Sequence, residues 1–361
     1  MSDPAKKSAT IRTVEMARGL AALFVVLFHA NSSADEFGGP DFGWLTFGEH
    51  GVDFFFVLSG FIIALAHGRD IGMPSTGKPY VLKRAIRLLP PLWIIVIGWT
   101  CLRAVMGAPV DPGAVARSTL LYPSLAPTIP IVVWTLRHEM LFYLVFLVLI
   151  VRPGIGRALF AIWGIGAVAQ LVLAAFGRPV LGIASFFLST YTLDFMMGMG
   201  LGFLHRRHHF TARAWPLLAG IALTAALLVA GQVLAIKREG LSDYISLAAT
   251  WWTLALGVGF AVTLHGLVRI EQRVKVPNVC VFLGAASYTI YLMHTIANSF
   301  TQRIVARLPD ALKEAGIGHV VMVLAGIIVA VIFYRIVERP VTGYLRRMLV
   351  PRAAAPATGA A

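Results

Sequence analysis

The sequence predicts an all-α, polytopic integral membrane protein, a helical bundle of about ten transmembrane helices with both termini cytoplasmic. Three observations predict it. Of 361 residues, 58% are hydrophobic and 13% charged, whereas a soluble domain carries roughly 25% charged residues. Apolar segments of near-spanning length recur along the whole chain. The basic residues between those segments fall mostly on one side. The two cysteines, Cys101 and Cys280, exclude a disulfide framework or a multi-cysteine metal site.

The apolar segments lie at 12–31, 51–66, 90–106, 131–151, 157–177, 181–204, 214–236, 245–268, 279–300 and 318–338. The first contains ARGLAALFVVLFHANSS, with Arg18 and His29 eleven residues apart. On a helix they are separated by about 16 Å of rise and about 20° of rotation, so they share a face. The same stretch resembles a secretory signal peptide, with a basic start and the small residues NSSA after the apolar run. The charges Glu15 and Arg18 at its start, and the even number of spans, favour a retained helix. The second segment opens at Gly51 with Asp53, where a carboxylate also suits the helix dipole. Its LSGF block supplies small residues that permit close helix contact.

The third segment follows KRAIRLLPPLW, which puts Lys83, Arg84 and Arg87 just ahead of it. The fourth begins WTLRHEMLFYLVF and carries Trp134, Arg137, His138 and Glu139 in its first turns, with Arg137 the cation nearest Glu139 in sequence. The sixth brings Asp194 near mid-depth. The tract HRRHHF at 205–210 has a metal-binding composition, but its place in an inner loop makes it a basic anchor. The ninth segment, LGAASYTIYLMHTIANSF, sets Ser287, Tyr288, Tyr291 and His294 on one helical stripe. Breakers such as GGPDFG, GMPSTGKP and YPSLAPTIP separate the segments. The predicted organisation is a cytoplasmic tail at 1–11, one membrane domain at 12–345 and a disordered tail at 346–361.

With a cytoplasmic amino terminus, 22 of the 31 Lys and Arg residues fall on the inner side, the bias of the positive-inside rule. The net charge of +14 is then topology and attraction to anionic membrane lipid, and it requires no nucleic acid. The intramembrane ionisable groups are a functional hypothesis, because charge at membrane depth is expensive. His29, Asp53, Glu139, His294 and the tyrosines converge on the centre and outer half. Arg18, Arg84 and Arg87 gather at the inner end, where guanidinium forks suit phosphates.

The blocks RGLAALFVVLFHA, GVDFFFVLSGFIIA, KRAIRLLPPLW, WTLRHEMLFYLVF, SYTIYLMH and FYRIVERP resemble, in order, the membrane acyltransferase 3 family over about residues 11–345. Its members include bacterial O-acetyltransferases of lipopolysaccharide, exopolysaccharide and Nod factor. The resemblance implies a multi-pass enzyme of the bacterial inner membrane. It implies acetyl-CoA, or another acyl-CoA, as co-substrate, and a glycan or lipid-linked saccharide as acceptor. It places the Arg-His motif on Arg18 and His29, the basic donor-binding motif on Arg84 and Arg87, and the helix-four acid on Glu139. Thr135 stands where the family usually has serine.

This chemistry agrees with the reading of the residues. An alcohol needs a base near its hydroxyl, and histidine titrates in the right range. His29 is the expected general base, with Asp53 or Glu139 orienting its ring. Trp134, Tyr288, Tyr291 and His294 are expected to bind substrate. Tyr288, Tyr291 and amides near Ser59 are oxyanion candidates. No metal is expected; polysaccharide-assembly proteins are plausible partners. A secondary transporter of a glycan, lipid or small anion is the competing class, but no pair of interrupted helices recurs in corresponding halves.

Overall fold

The computed structural model describes residues 11–208, 210–236 and 246–350, and every regular element among them is helical. The long helices are α1 (Arg12–Ser32), α2 (Gly51–His67), α3 (Gly77–Val105), α4 (Trp134–Val151) and α5 (Pro153–Ala175). They continue with α6 (Tyr191–Arg207), α7 (Trp215–Val233), α8 (Leu247–Ile270), α9 (Asn278–Val305), α10 (Ile317–Phe333) and α11 (Arg339–Leu349). Nine helical stretches among the described residues are long and apolar enough to cross a membrane. Ten were expected. The sixth predicted segment is instead divided into a short helix, Ile183–Phe187, and the 17-residue α6.

Two further boundaries differ from the sequence reading. The third segment extends back to Gly77, so Lys83, Arg84 and Arg87 are inside α3 and not ahead of it. Pro90 and Pro91 stay within that helix; lacking N–H groups, they leave the carbonyls of Ile86 and Arg87 without their helical partners. The expected tail at 346–361 starts too early, because α11 continues to Leu349. The predicted tail residues 1–10 and 351–361 lie outside the described residues, as do Lys237 and Arg238.

Glycine contacts set the relative directions. Gly198 and Gly202 of α6 lie on the Val57 and Phe61 carbonyls of α2, and Arg206 donates to Leu65 O at 2.9 Å. This register makes α2 and α6 parallel. The start of α1 meets Gly284 of α9, and further along the His29 and His294 rings lie 4.8 Å apart, so α1 and α9 are also parallel. Val305 against Gly318, and His294 against Gly326, set α10 antiparallel to α9. Ile11 and Arg346 line a common cavity, so the first and last described helices meet at one face.

The first predicted segment is built into the bundle along its length. Glu271 accepts from the Arg12 and Thr13 amides, both at 2.8 Å, and from Thr13 Oγ1 at 2.6 Å. A carboxylate there satisfies free helix N–H groups and complements the dipole. At the other end, the Asn31 amide donates to Asp41 and accepts from the Phe42 N–H, holding the following loop over the helix end.

An added methyl group tests the α2–α6 contact. Gly198→Ala drives a Cβ into the Val57 carbonyl, whereas at Gly200 it meets nothing within 4 Å. Gly198→Ala is expected to cost about 1–3 kcal/mol, read as a lower Tm in detergent, with Gly200→Ala at the wild-type value.

Candidate functional site

Helices α1, α2, α3, α4 and α9 line a common chamber between them, a concave and mostly apolar setting with a few convergent polar groups. Its polar wall is made by Arg18, Ser59, Arg84, Arg87, Glu139, Tyr143, Ser287, Tyr288 and Tyr291, with Phe55, Phe56 and Leu136 among the apolar residues. Arg84 and Arg87, one turn apart on α3, also line a second, more open cavity. Arg69, Lys83, Arg206, Arg346 and His67 stand around that second space. A cationic vestibule and an inner chamber therefore share one wall.

The chamber charges are organised in pairs. Arg18 Nη1 donates to both oxygens of Glu15, at 2.9 and 3.0 Å. Glu139 accepts from Ser59 Oγ at 3.2 Å and, in a short contact, from the Tyr143 hydroxyl. Arg137 is the cation nearest Glu139 in sequence, but its guanidinium serves the loop before α4. It is turned away to donate to the Ser124 and Ala126 carbonyls at 2.6 and 2.8 Å. Arg87 makes no hydrogen bond or ion pair among the described residues, and lies within electrostatic reach of Glu139, Glu15 and Glu338. In a low-dielectric site such a cation attracts anions strongly.

Two histidines stand beyond Tyr291, off the chamber wall. The Tyr291 and His294 ring centres are 6.1 Å apart, and His294 meets the His29 ring nearly edge-on. His29 Nδ1 lies 3.0 Å from Val25 O. A carbonyl only accepts, so Nδ1 carries the proton and Nε2 holds the lone pair. His294 repeats this arrangement with Ile290 O at 3.0 Å, and its Nε2 is buried with no hydrogen-bond partner.

Neither expected carboxylate orients His29. Asp53 is fully buried against a different imidazole, His50, at 3.0 Å, because the chain before α2 folds down over its first turn. Glu139 is engaged by Tyr143 and Ser59. A main-chain carbonyl one helical turn back orients His29 instead. The oxyanion candidates are also engaged: Tyr288 donates to Leu88 O at 2.8 Å and Tyr291 to Val132 O at 3.1 Å, while Ser59 and Gly60 lie mid-helix. Trp134 is not on the chamber wall; it packs 5.5 Å from Tyr191 and 6.1 Å from His138. His205 of the HRRHHF tract meets His265 at 2.9 Å, and no group of three potential metal ligands occurs among the described residues.

Sequence reasoning missed Tyr143, His67 and Glu338. Tyr143 follows Glu139 by one turn, a spacing that could have revealed it. Glu338, the acid of the FYRIVERP block, is buried and accepts a short hydrogen bond from Thr289. It stands on a π-helical turn, Tyr334–Glu338, a feature enriched at functional sites but invisible to a 3.6-residue pattern.

Fold and site define a polytopic membrane protein whose buried polar chamber adjoins a cationic cavity. Residues 11–335 match the family described as an acyltransferase domain, and the chain belongs to it. It is 30% identical to the exopolysaccharide production protein ExoZ of Rhizobium meliloti (strain 1021) over 359 residues, 93% of this chain and 99% of the relative. A shorter match, 39% identical over 87 residues, is to the putative membrane-bound transacylase BcsY of Komagataeibacter xylinus, covering 24% of this chain and 18% of the relative. No solved structure matches.

Proposed function

We propose that the protein transfers an acyl group, in the simplest case acetyl, from cytoplasmic acyl-CoA to a hydroxyl of a surface glycan. The acceptor would be an exopolysaccharide, a lipopolysaccharide or a lipid-linked sugar at or beyond the outer side of the bacterial inner membrane. The observation that carries this reading is the wall shared by vestibule and chamber at Arg84 and Arg87. It suits a donor with phosphates at one end and a reactive thioester on a long arm at the other. The similarity to an exopolysaccharide production protein favours a glycan acceptor. The basic cavity lies on the face where the described helices begin and end, so this reading puts that face in the cytoplasm.

In the reaction, the acceptor oxygen attacks the thioester carbonyl while His29 Nε2 takes the hydroxyl proton. The carbon–sulfur bond then breaks and CoA leaves as a thiolate that is reprotonated. Oriented by Val25 O, the His29 ring presents its lone pair without a supporting carboxylate. Direct transfer requires no acyl-serine; Ser59 is engaged with Glu139.

The test uses protein in vesicles, acetyl-labelled acetyl-CoA on one side and an isolated polysaccharide or lipid-linked repeat unit on the other. Label is expected to appear on the glycan as an alkali-labile ester. Passage of glycan across the vesicle without ester formation would replace this reading with a transporter.

A further inference from the structure

Arg84 stands where the vestibule meets the chamber, and a closed ring of contacts fixes its direction. Its Nη2 lies 3.1 Å from His67 Nε2. A guanidinium only donates, so the imidazole nitrogen accepts. The ring proton is therefore on Nδ1, which donates to Asp70 Oδ2 at 2.7 Å. Tyr80 meets the His67 ring edge-on, with centres 4.9 Å apart, and its hydroxyl donates to the Tyr143 carbonyl at 3.1 Å. The Tyr143 ring lies 5.6 Å from the Arg84 guanidinium, within cation–π range. The loop Tyr80–His67–Arg84–Tyr143 closes across α2, α3 and α4.

Two features set this apart from ordinary helix-end packing. Asp70 follows the carboxyl end of α2, where the helix dipole disfavours a carboxylate. It remains there bonded to His67, with Arg69 and Arg206 nearby. The bond to His67 is also the only hydrogen bond of the Arg84 side chain among the described residues, and Arg84 Nε is buried with no hydrogen-bond partner. Without His67, the guanidinium would keep the Tyr143 face but lose the contact that sets its rotation.

We propose that His67, oriented by Asp70, is a positioning residue that holds Arg84 ready for the phosphates of the donor. This rests on the acyl-CoA reading above. His67 acts through Arg84 on donor binding, so its loss should appear in donor affinity and leave the chemical step unchanged.

The experiment measures binding of a non-transferable ketone analogue of acetyl-CoA, together with steady-state transfer, for wild type, His67→Ala, His67→Gln, Arg84→Ala and the His67→Ala/Arg84→Ala pair. His67→Ala is expected to raise the analogue Kd and the donor KM about tenfold, the effect of losing one hydrogen bond to a charged group, with kcat within about twofold. Glutamine, whose side-chain carbonyl accepts from Arg84, should restore most of the affinity. The paired variant should bind no more weakly than Arg84→Ala alone. Wild-type affinity in His67→Ala, a glutamine variant as weak as the alanine one, or additive losses in the pair would each overturn the proposal while the donor reading stands. If His67→Ala does not fold, the glutamine variant decides: near-wild-type affinity supports the accepted bond, and a tenfold loss overturns it. Wild-type protein that binds no analogue overturns the donor reading and the role of His67 with it.

Discussion

Replacing His29 by alanine is expected to slow acyl transfer by about 10² to 10⁴-fold, the usual contribution of a positioned general base, with donor affinity nearly unchanged. The expectation follows from where His29 stands. Its Nδ1 is tied to Val25 O and its ring to His294, outside the chamber that holds Arg84 and Arg87. The substitution therefore removes a proton acceptor and leaves the cationic wall whole. His29→Gln keeps much of the volume and cannot serve as the base, so it should be as slow as alanine. In the wild type, kcat/KM should fall toward acid pH as the imidazole takes up a proton, and this acid limb should be missing from the residual activity of both variants. The measurement is a pH–rate profile on labelled acetyl-CoA. Retention of more than about a tenth of the wild-type rate in His29→Ala would remove the residue from the general-base role.

Arg87→Ala is expected to weaken donor binding by about 10 to 100-fold, the scale of one or two charge-assisted hydrogen bonds. Arg87 differs from the other two predicted arginines. Arg18 is held by Glu15 and Arg84 by His67, whereas Arg87 has no hydrogen-bond or ion-pair partner among the described residues and borders both cavities. Its five donors remain for a ligand. Arg87→Lys keeps the charge but loses the planar fork, so an intermediate affinity is expected. Arg117→Ala is the control, because Arg117 pairs with Asp111 near the surface, 3.2 Å away, and borders neither cavity. Titration of the ketone analogue gives the affinities directly. Arg87→Ala that binds as tightly as Arg117→Ala would remove Arg87 from the donor site. Arg87 also neutralises Glu139 and Glu338 electrostatically, so thermal unfolding must be read alongside.

Much of the architecture was legible because membrane spans are local objects. A run of apolar residues is long enough or it is not, and nine of the expected segments reappear as spanning stretches. The exceptions have local causes that hydropathy cannot register. The third segment was expected from residue 90, yet α3 begins at Gly77 and runs through Pro90 and Pro91. The sixth segment read as continuous because its break, at Leu188 to Thr190, is as short as the turns that helices absorb. The lining of the chamber was legible in part, and its wiring less so. Arg18, Arg84, Arg87, Glu139, Tyr288 and Tyr291 all reach one chamber, whereas His29, His294, Asp53 and Trp134 do not line it.

Composition, apolar periodicity and charge asymmetry were sufficient for a multi-pass helical bundle, because each is set within one helix and its flanks by the cost of burying backbone and charge in lipid. The Arg18 and His29 phase on α1 belongs to the same category. Partner choice does not. Which imidazole faces Asp53, which cation serves Glu139, and how His67 reaches Arg84 all depend on contacts of a few ångströms between different elements. Hydrogen bonds and ion pairs weaken steeply over such distances, so only the packed chain decided them.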